Sequence, residues 1–250
     1  MFSLLLTCAP AMEDELIAEL YDAGTTGIAE ESGGLRAFFA DDVSAPTLFA
    51  RFAPFQPQLR REEDVDWEQV TRDAWPPLLV GKRFFLAPSW NADPAPAGRI
   101  RLEVHPGMVC GTGWHPCTQL CLEALERTVR PGTTVLDVGS GSGILSDAAR
   151  LLGAARVIAC DVDVDAVRIA RERVRAPMFA GSVDAVRADV ADVIVANISS
   201  VVAEELAPEF ARVRRPASTL ILSGFAGDDL PEGYRPRDLL RRDGWACVIC

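Results

Sequence analysis

Residues 133–145, TTVLDVGSGSGIL, decide the fold of this chain. Residues 133–138 are mostly apolar or β-branched and contain no glycine or proline, which predicts a buried strand. Three glycines at alternate positions follow, and the apolar spacing of residues 144–152 predicts a helix. A turn with few side chains, placed before a helix N-terminus, lets a ligand lie against backbone N–H groups. The stretch therefore predicts a ligand site between a strand and a helix.

A second apolar run lies close behind the first, at residues 156–160, and it ends in Asp161. In dinucleotide-binding folds, an acidic residue near the end of the strand after a glycine-rich turn accepts hydrogen bonds from a ribose. The glycine turn and this carboxylate together predict a nucleoside-containing cofactor.

The spacing of the glycines indicates which cofactor. A dinucleotide site needs G-x-G-x-x-G, whereas this turn has G-x-G-x-G with the bulky Ile144 after it. The D-x-G-x-G-x-G pattern that starts at Asp137 resembles the S-adenosyl-L-methionine site of class I methyltransferases. We favour that cofactor over a nicotinamide, and over a purely structural tight turn, because Asp137 and Asp161 accompany the glycines. The predicted fold class is α/β, a Rossmann-like doubly wound sheet of the class I methyltransferase type.

The composition narrows the class of protein. The 250 residues suffice for two domains or one large one, and 49% hydrophobic with 24% charged residues is ordinary for a soluble globular protein. No apolar run approaches the roughly 20 residues that span a bilayer, and the first residues lack the basic region of a signal peptide. Seven cysteines, an odd number lying mostly in apolar segments, fit reduced packing residues, so we expect a cytoplasmic protein without membrane contact.

The net charge of −11 argues against direct binding to a nucleic-acid backbone. It suits a cationic partner such as a lysine-rich protein. The alternative, that the acidity only confers solubility, stays open.

Residues 1–63 have a pattern of their own. Their apolar spacing and turn residues predict the order β-α-β-β-α-β of a ferredoxin-like domain. We interpret this domain as a substrate-recognition module, with a purely structural appendage as the alternative. Residues 64–76 are predicted to be a linker helix, and residues 77–250 the catalytic domain. Within the latter, strands at 83–87 and 100–104 are predicted to be joined by a long hairpin connection.

Three motifs carry a family resemblance. The run GTGWHPCT at residues 111–118, the glycine stretch at 137–145 and ADVIVANI at 191–198 together resemble the ribosomal protein L11 methyltransferase family. The first of these runs is far more specific than the glycine turn alone. The resemblance covers about residues 59–225. In the N-terminal domain it is limited to the arrangement of the predicted secondary-structure elements.

The resemblance implies methyl transfer from S-adenosyl-L-methionine to lysine and N-terminal amines of a ribosomal protein. It also implies an N-terminal domain that grips the substrate. Carried over by motif, the residues that touch the cofactor are Thr118, Gly139, Asp161 and Asn197. The same motifs add as cofactor-binding candidates Thr112, Gly113, Asp137, Gly141 and Gly143.

The chain departs from the family pattern in several places. The aromatic residue before G-T-G is Cys110 here, the first threonine after H-P is Cys117, and N-I-L-A is replaced by the sequence NISS at residues 197–200. The segments 173–191 and 226–234 are short. These departures leave two alternatives open: a methyltransferase for another protein lysine or a small amine, and a cofactor-binding protein with little turnover.

Two residues are candidates for the chemistry. A lysine amine with an ordinary pKa near 10.4 is protonated at neutral pH, so the site must favour its neutral form. Asn197 offers a neutral amide oxygen that would orient the amine, with capping of the following helix as the alternative. His115 is a candidate base, although its position before a proline and a helix favours an orienting or capping contact.

A metal site is not predicted. Cys110, His115, Cys117 and Cys121 do not have the spacing of a standard zinc site. Cys117 and Cys121 lie one helical turn apart, and we expect them on the buried side of the helix.

Overall fold

A computed structural model describes residues 1–9, 12–31, 33–61, 72–73, 75–105 and 113–250. The chain divides into two compact units, Met1–Ala74 and Trp75–Cys250. Most of the predicted linker helix at 64–76 lies outside the described residues. The division into 1–63, 64–76 and 77–250 therefore stays a prediction.

The first unit has the predicted ferredoxin-like order. Its elements are β1 (Phe2–Thr7), α1 (Glu13–Asp22), β2 (Gly27–Glu31), β3 (Gly34–Phe39), α2 (Ala45–Arg51) and β4 (Gln58–Arg61). The strands form one antiparallel sheet in the order β2-β3-β1-β4. Alternate residues of β1, namely Phe2, Leu4 and Leu6, are buried in the core of this unit, as a sheet with one covered face requires.

The second unit is built on a seven-stranded sheet in the order β10-β9-β8-β11-β12-β14-β13. Its strands are β8 (Thr134–Val138), β9 (Arg156–Asp161), β10 (Met178–Ala180), β11 (Ala191–Asn197), β12 (Arg214–Ala226), β13 (Asp238–Arg242) and β14 (Trp245–Ile249). The first five in spatial order run parallel, and β14 and β13 add an antiparallel edge. The order reverses between β8 and β11, and ligands bind at such a switch point, outside the carboxyl ends of the strands.

Five helices accompany the sheet among the described residues: α3 (Pro116–Thr128), α4 (Ile144–Leu151), α5 (Val164–Arg173), α6 (Ser200–Glu205) and α7 (Ala207–Val213). The two faces of the sheet bury separate cores. Val135 and Val195 pack on one face with α3 and α4, whereas Leu136 and Ile194 pack on the other face with α7. Central strands that are apolar on both faces are what a doubly wound fold requires, so the predicted fold class is confirmed.

A three-stranded sheet precedes the large one, and it corrects one prediction. It consists of β5 (Leu78–Val80), β6 (Phe84–Pro88) and β7 (Ile100–Val104). The hairpin predicted between β6 and β7 is wrong, because these strands pair in parallel. Residues 89–99 form a crossover connection. The Arg101 guanidinium donates hydrogen bonds to the carbonyls of Asn91 and Asp93 in this connection, at 2.5 and 2.7 Å. Side-chain bonds from Arg101 hold this connection, and strand periodicity does not reveal such bonds.

Within the part of the chain that the structure describes, no helix combines the length and the apolar character needed to cross a membrane.

Candidate active site

The glycine turn joins β8 to α4 at the carboxyl edge of the sheet. Gly139, Gly141 and Gly143 have φ angles of +72°, +50° and +81°, a region that side chains disfavour. A Cβ on Gly139 would lie 2.8 Å from a methyl carbon of Ile198. Here the backbone approaches its neighbours too closely for a side chain, which leaves the peptide groups facing the ligand site.

Asp161 ends β9 and faces this turn. Its Oδ2 accepts a hydrogen bond from the N–H of Gly141 at 2.7 Å, and its Oδ1 accepts one from the N–H of Asp163 at 2.9 Å. These bonds fix the carboxylate in orientation. Because each oxygen of a carboxylate has two lone pairs, each can accept one further bond, as the two hydroxyls of a ribose would require.

Asp137 lies at the base of the same turn and is completely buried. Its Oδ2 accepts a 2.6 Å hydrogen bond from the Ser146 hydroxyl of α4, whereas its Oδ1 has no hydrogen-bond partner among the residues that the structure describes. Burial raises the pKa of this carboxyl group from its ordinary 3.8 to about 6, against the opposing effect of Ser146. Within the same described part of the chain, the buried hydroxyl of Ser140 in the turn also lacks a partner. Unpaired buried polar atoms beside a bare turn fit a ligand that carries a hydrogen-bond donor.

Asn197 is the last residue of β11. Strand alternation places its side chain on the same face as Val195 and Asp137, toward α3. There its Nδ2 lies 3.3 Å from the hydroxyl of the buried Thr118 and donates to it. Asn197 does not cap the next helix, because the N-cap of α6 is Ser199, whose hydroxyl accepts from the N–H of Val202.

A small open cavity of about 50 Å³ lies at the carboxyl edge of the sheet. The glycine turn, the start of α4, the first turn of α3 and the end of β11 form its walls. Its lining residues are Thr118, Gly139, Ser140, Gly141, Ile144, Leu145 and Asn197. Four predicted cofactor residues therefore meet in a single cavity, next to the ends of the two central strands.

Known proteins share this combination of sequence and architecture. The family model for ribosomal protein L11 methyltransferase (PrmA) matches residues 7–249. The chain is 39% identical over 201 residues to the ribosomal protein L11 methyltransferase of Burkholderia mallei, an alignment that covers 76% of this chain and 67% of that protein. The chain belongs to the ribosomal protein L11 methyltransferase family.

Two further relatives support the family membership. The ribosomal protein L11 methyltransferase of Azotobacter vinelandii is 36% identical over 259 residues, covering 94% of this chain and 86% of that one. The crystal structure of a ribosomal protein L11 methylase from Lactobacillus delbrueckii subsp. bulgaricus has a TM-score of 0.64 and 26% identity, and covers 69% of this chain and 96% of that chain. Family membership confirms a methyltransferase with S-adenosyl-L-methionine as methyl donor, and rejects the nicotinamide alternative.

Two further predicted cofactor residues, Gly143 and Gly113, pack closely against their neighbours. Gly143 closes the turn, where an added Cβ would lie 2.8 Å from a methyl carbon of Val174. At Gly113 an added Cβ would lie 2.9 Å from Cδ1 of Ile144, so the end of the G-T-G run packs against the start of α4. Thr112 lies outside the described residues. The cofactor roles of all these residues stay predictions.

His115 is the N-cap of α3. Its Nδ1 accepts a hydrogen bond from the N–H of Cys117 at 3.3 Å, and its ring packs edge-on against Trp245 with 4.6 Å between the ring centres. The predicted capping contact is thus present. The catalytic role of His115 stays a prediction.

Cys117 and Cys121 are buried on the inner side of α3, as predicted. Burial raises the pKa of the Cys117 thiol, whereas the pKa of the Cys121 thiol is raised first by its hydrogen bond with Cys247 and then by burial. No three His, Cys, Asp or Glu side chains among the described residues are placed to hold a metal ion, and Cys110 lies outside those residues.

Sequence reasoning missed three site residues. Ser146 partners Asp137, Ser140 lines the cavity, and Trp245 packs on His115. Ser146 left a signal, since it is a polar residue between apolar ones on a helix that is otherwise buried on that side. Trp245 left none, because it lies more than a hundred residues from His115 and meets it only in the folded chain.

Proposed function

We propose that this chain transfers methyl groups from S-adenosyl-L-methionine to lysine and N-terminal amines of ribosomal protein L11. The relatives are named for that substrate protein. The observation that supports an amine as acceptor is the position of the Asn197 side chain. Its amide points into the cavity at the end of β11, beside the glycine turn. A neutral oxygen at that place accepts a hydrogen bond from an amine without favouring the charged ammonium form.

The cofactor supplies an electrophilic methyl group on a sulfonium sulfur. In this proposal Asp161 holds the ribose hydroxyls with the lone pairs that its two backbone contacts leave. Asp137, whose buried Oδ1 has no hydrogen-bond partner among the described residues, would accept a hydrogen bond from the ammonium of the cofactor's methionine part. The turn between these two carboxylates contributes backbone N–H groups and little bulk, so both ends of the cofactor are held and the methyl group is positioned.

The amine must be neutral to attack. Deprotonating an ordinary lysine at pH 7 costs about 4–5 kcal/mol, which a partly desolvated pocket reduces because burial disfavours the charged form. The cavity wall includes apolar Ile144 and Leu145. Thr118 holds the NH₂ of the Asn197 amide, so that the carbonyl oxygen of Asn197 is the group left to accept the amine N–H. This oxygen aligns the nitrogen lone pair with the methyl carbon.

The first unit and the surface charge concern substrate binding. A net charge of −11 favours a basic partner protein over a nucleic acid. The ferredoxin-like unit carries none of the residues assigned to the chemistry, and we assign to it the docking of the substrate protein. A cytoplasmic location and the absence of direct nucleic-acid contact belong to the same proposal.

One experiment tests the substrate assignment. Purified enzyme and S-adenosyl-L-methionine labelled in the methyl group are incubated with purified ribosomal protein L11 and, separately, with a cell extract. Mass spectrometry of intact and digested protein should show added methyl groups on lysine or N-terminal amines of L11. Label on another protein or on a small amine, with none on L11, would overturn the substrate. Cofactor binding without product from any amine would favour a binding protein with little turnover.

A further inference from the structure

The departure from the family pattern after Asn197 has a structural consequence. Residues 197–200 read NISS, so two serines stand where the family has leucine and alanine. Ser199 caps α6. Ser200 is buried, and its hydroxyl donates a 2.7 Å hydrogen bond to Oδ2 of Asp229. The second serine thus connects α6 to the segment 227–237, which links β12 to β13.

Segment 227–237 contacts α6 at two further points. The Tyr234 hydroxyl donates to the carbonyl of Ala203 at 2.5 Å, and the N–H of Glu232 donates to a carboxylate oxygen of Glu204 at 2.7 Å. Together with the Asp229 contact, these bonds involve the first residue of the short helix and two residues near its end.

Segment 227–237 is itself anchored to the sheet. The N–H of Gly227 donates to the carbonyl of Gly244 at 2.7 Å, and the guanidinium of Arg241 donates to the carbonyl of Gly227 at 2.6 Å. At the far end, the N–H of Arg237 donates to the carbonyl of Ile249 at 2.7 Å. The segment can therefore fix the position of α6 relative to the strands.

The chain just before α6 is held by β12. The N–H of Ile198 donates to the carbonyl of Ser223 at 2.7 Å, and a Cβ added to Gly224 would lie 2.4 Å from the carbonyl oxygen of Ile198. Asn197 therefore precedes a peptide that contacts β12 through Ile198 and continues into the first turn of α6.

We propose that Asp229 is a positioning residue for Asn197, acting through the hydroxyl of Ser200. Asp229 is not among the described residues that line the cavity, and in this proposal its effect passes through α6. This inference rests on the role proposed above for Asn197. It assigns a function to the shortened segment before the last hairpin and to the second of the two replaced residues.

The test measures kcat, KM and the cofactor dissociation constant for Asp229→Ala, Ser200→Ala and the double variant. We expect kcat to fall about fivefold to tenfold in each single variant, and no further in the double variant, because both remove the same contact. The cofactor dissociation constant should change less than twofold. Asp228→Ala removes an exposed carboxylate one residue away and serves as the matched control, with kcat unchanged.

A second cycle distinguishes positioning from general destabilisation. In an Asn197→Ala background, Asp229→Ala should have no further effect on kcat, whereas a merely structural effect would reduce activity again. Asp229→Asn keeps an acceptor oxygen and should restore at least half of the lost kcat, with thermal midpoints reported for all variants. Unchanged kcat in Asp229→Ala, or additive losses with Asn197→Ala, would overturn the positioning role of Asp229 and leave the proposed role of Asn197 intact. If Asn197→Ala itself keeps full kcat, the proposed role of Asn197 fails, and the inference with it.

Discussion

The two halves of the cavity are built in different ways. The cofactor half consists of the glycine turn and Asp161, held by hydrogen bonds between backbone N–H groups and one carboxylate. The half assigned to the amine consists of Asn197 and the side chains around it, held by contacts such as Asn197 with Thr118, which are 79 residues apart. The first half is a local feature of sequence, and the second exists only when distant elements pack. Substitutions should therefore separate cofactor binding from turnover.

The largest effect is expected at Asn197. Asn197→Asp places a carboxylate where the amine must be neutral, so kcat should fall about 1,000-fold, or about 4 kcal/mol in activation free energy. The cofactor dissociation constant should change much less, by about tenfold at most, because Asn197 is only one of several predicted cofactor contacts. Steady-state kinetics and calorimetry measure the two quantities, and Asn91→Asp, which adds the same charge in the 89–99 crossover, is the control. Equal losses in both quantities would show that the two halves are not separable.

The next effect concerns Asp137 and pH. Its pKa is raised from 3.8 to about 6 in the folded chain, so the folded state binds more protons than the unfolded state between these values. The free energy of unfolding should therefore fall as pH rises from 4 to 7, by about 2 kcal/mol through this group.

Urea titrations at both pH values test this dependence on Asp137. Asp137→Asn should remove that part of the pH dependence, and saturating cofactor should reduce it in the unmodified chain, since a bound ammonium favours the charged carboxylate. An unchanged pH slope in Asp137→Asn would contradict the assignment.

A smaller effect is expected for the ribose contact. Asp161→Ala should weaken cofactor binding about tenfold or more, about 1.4 kcal/mol, because it removes the acceptor of the sugar hydroxyls. At saturating cofactor, kcat should stay within threefold. Calorimetry checks the affinity, with Asp165→Ala as a control that removes an exposed carboxylate from α5 nearby. Undiminished binding in Asp161→Ala would remove Asp161 from the cofactor site.

The smallest effect is expected at His115. His115→Asn keeps a good N-cap for α3, so kcat should fall threefold or less, whereas His115→Ala should lower the free energy of unfolding by about 1 kcal/mol. Thermal and urea unfolding with kinetics of both variants measure these outcomes. A loss of about 100-fold in kcat for His115→Asn would instead favour the role of general base.

Much of the fold follows from local patterns. The elements of the first unit follow the predicted order. The strand β8 with α4 and the strand β9 ending at Asp161 agree with the predicted spans to within one or two residues. The predicted antiparallel pairing of β6 with β7 does not agree with the structure, because parallel and antiparallel pairing require the same alternation of side chains. Bonds from Arg101 to the 89–99 crossover accompany the parallel arrangement, and the sequence pattern does not reveal them.

The sequence by itself determined the glycine turn, the acid at the end of β9, the family and its cofactor. Each of these depends on short runs of consecutive residues that can be identified without knowing which other parts of the chain they contact. Only the tertiary structure decided the partner of Asn197, the unpaired oxygen of Asp137 and the contact of Ser200 with Asp229. Those features arise where elements far apart in the chain are buried against one another, and burial then determines which polar atoms find a partner.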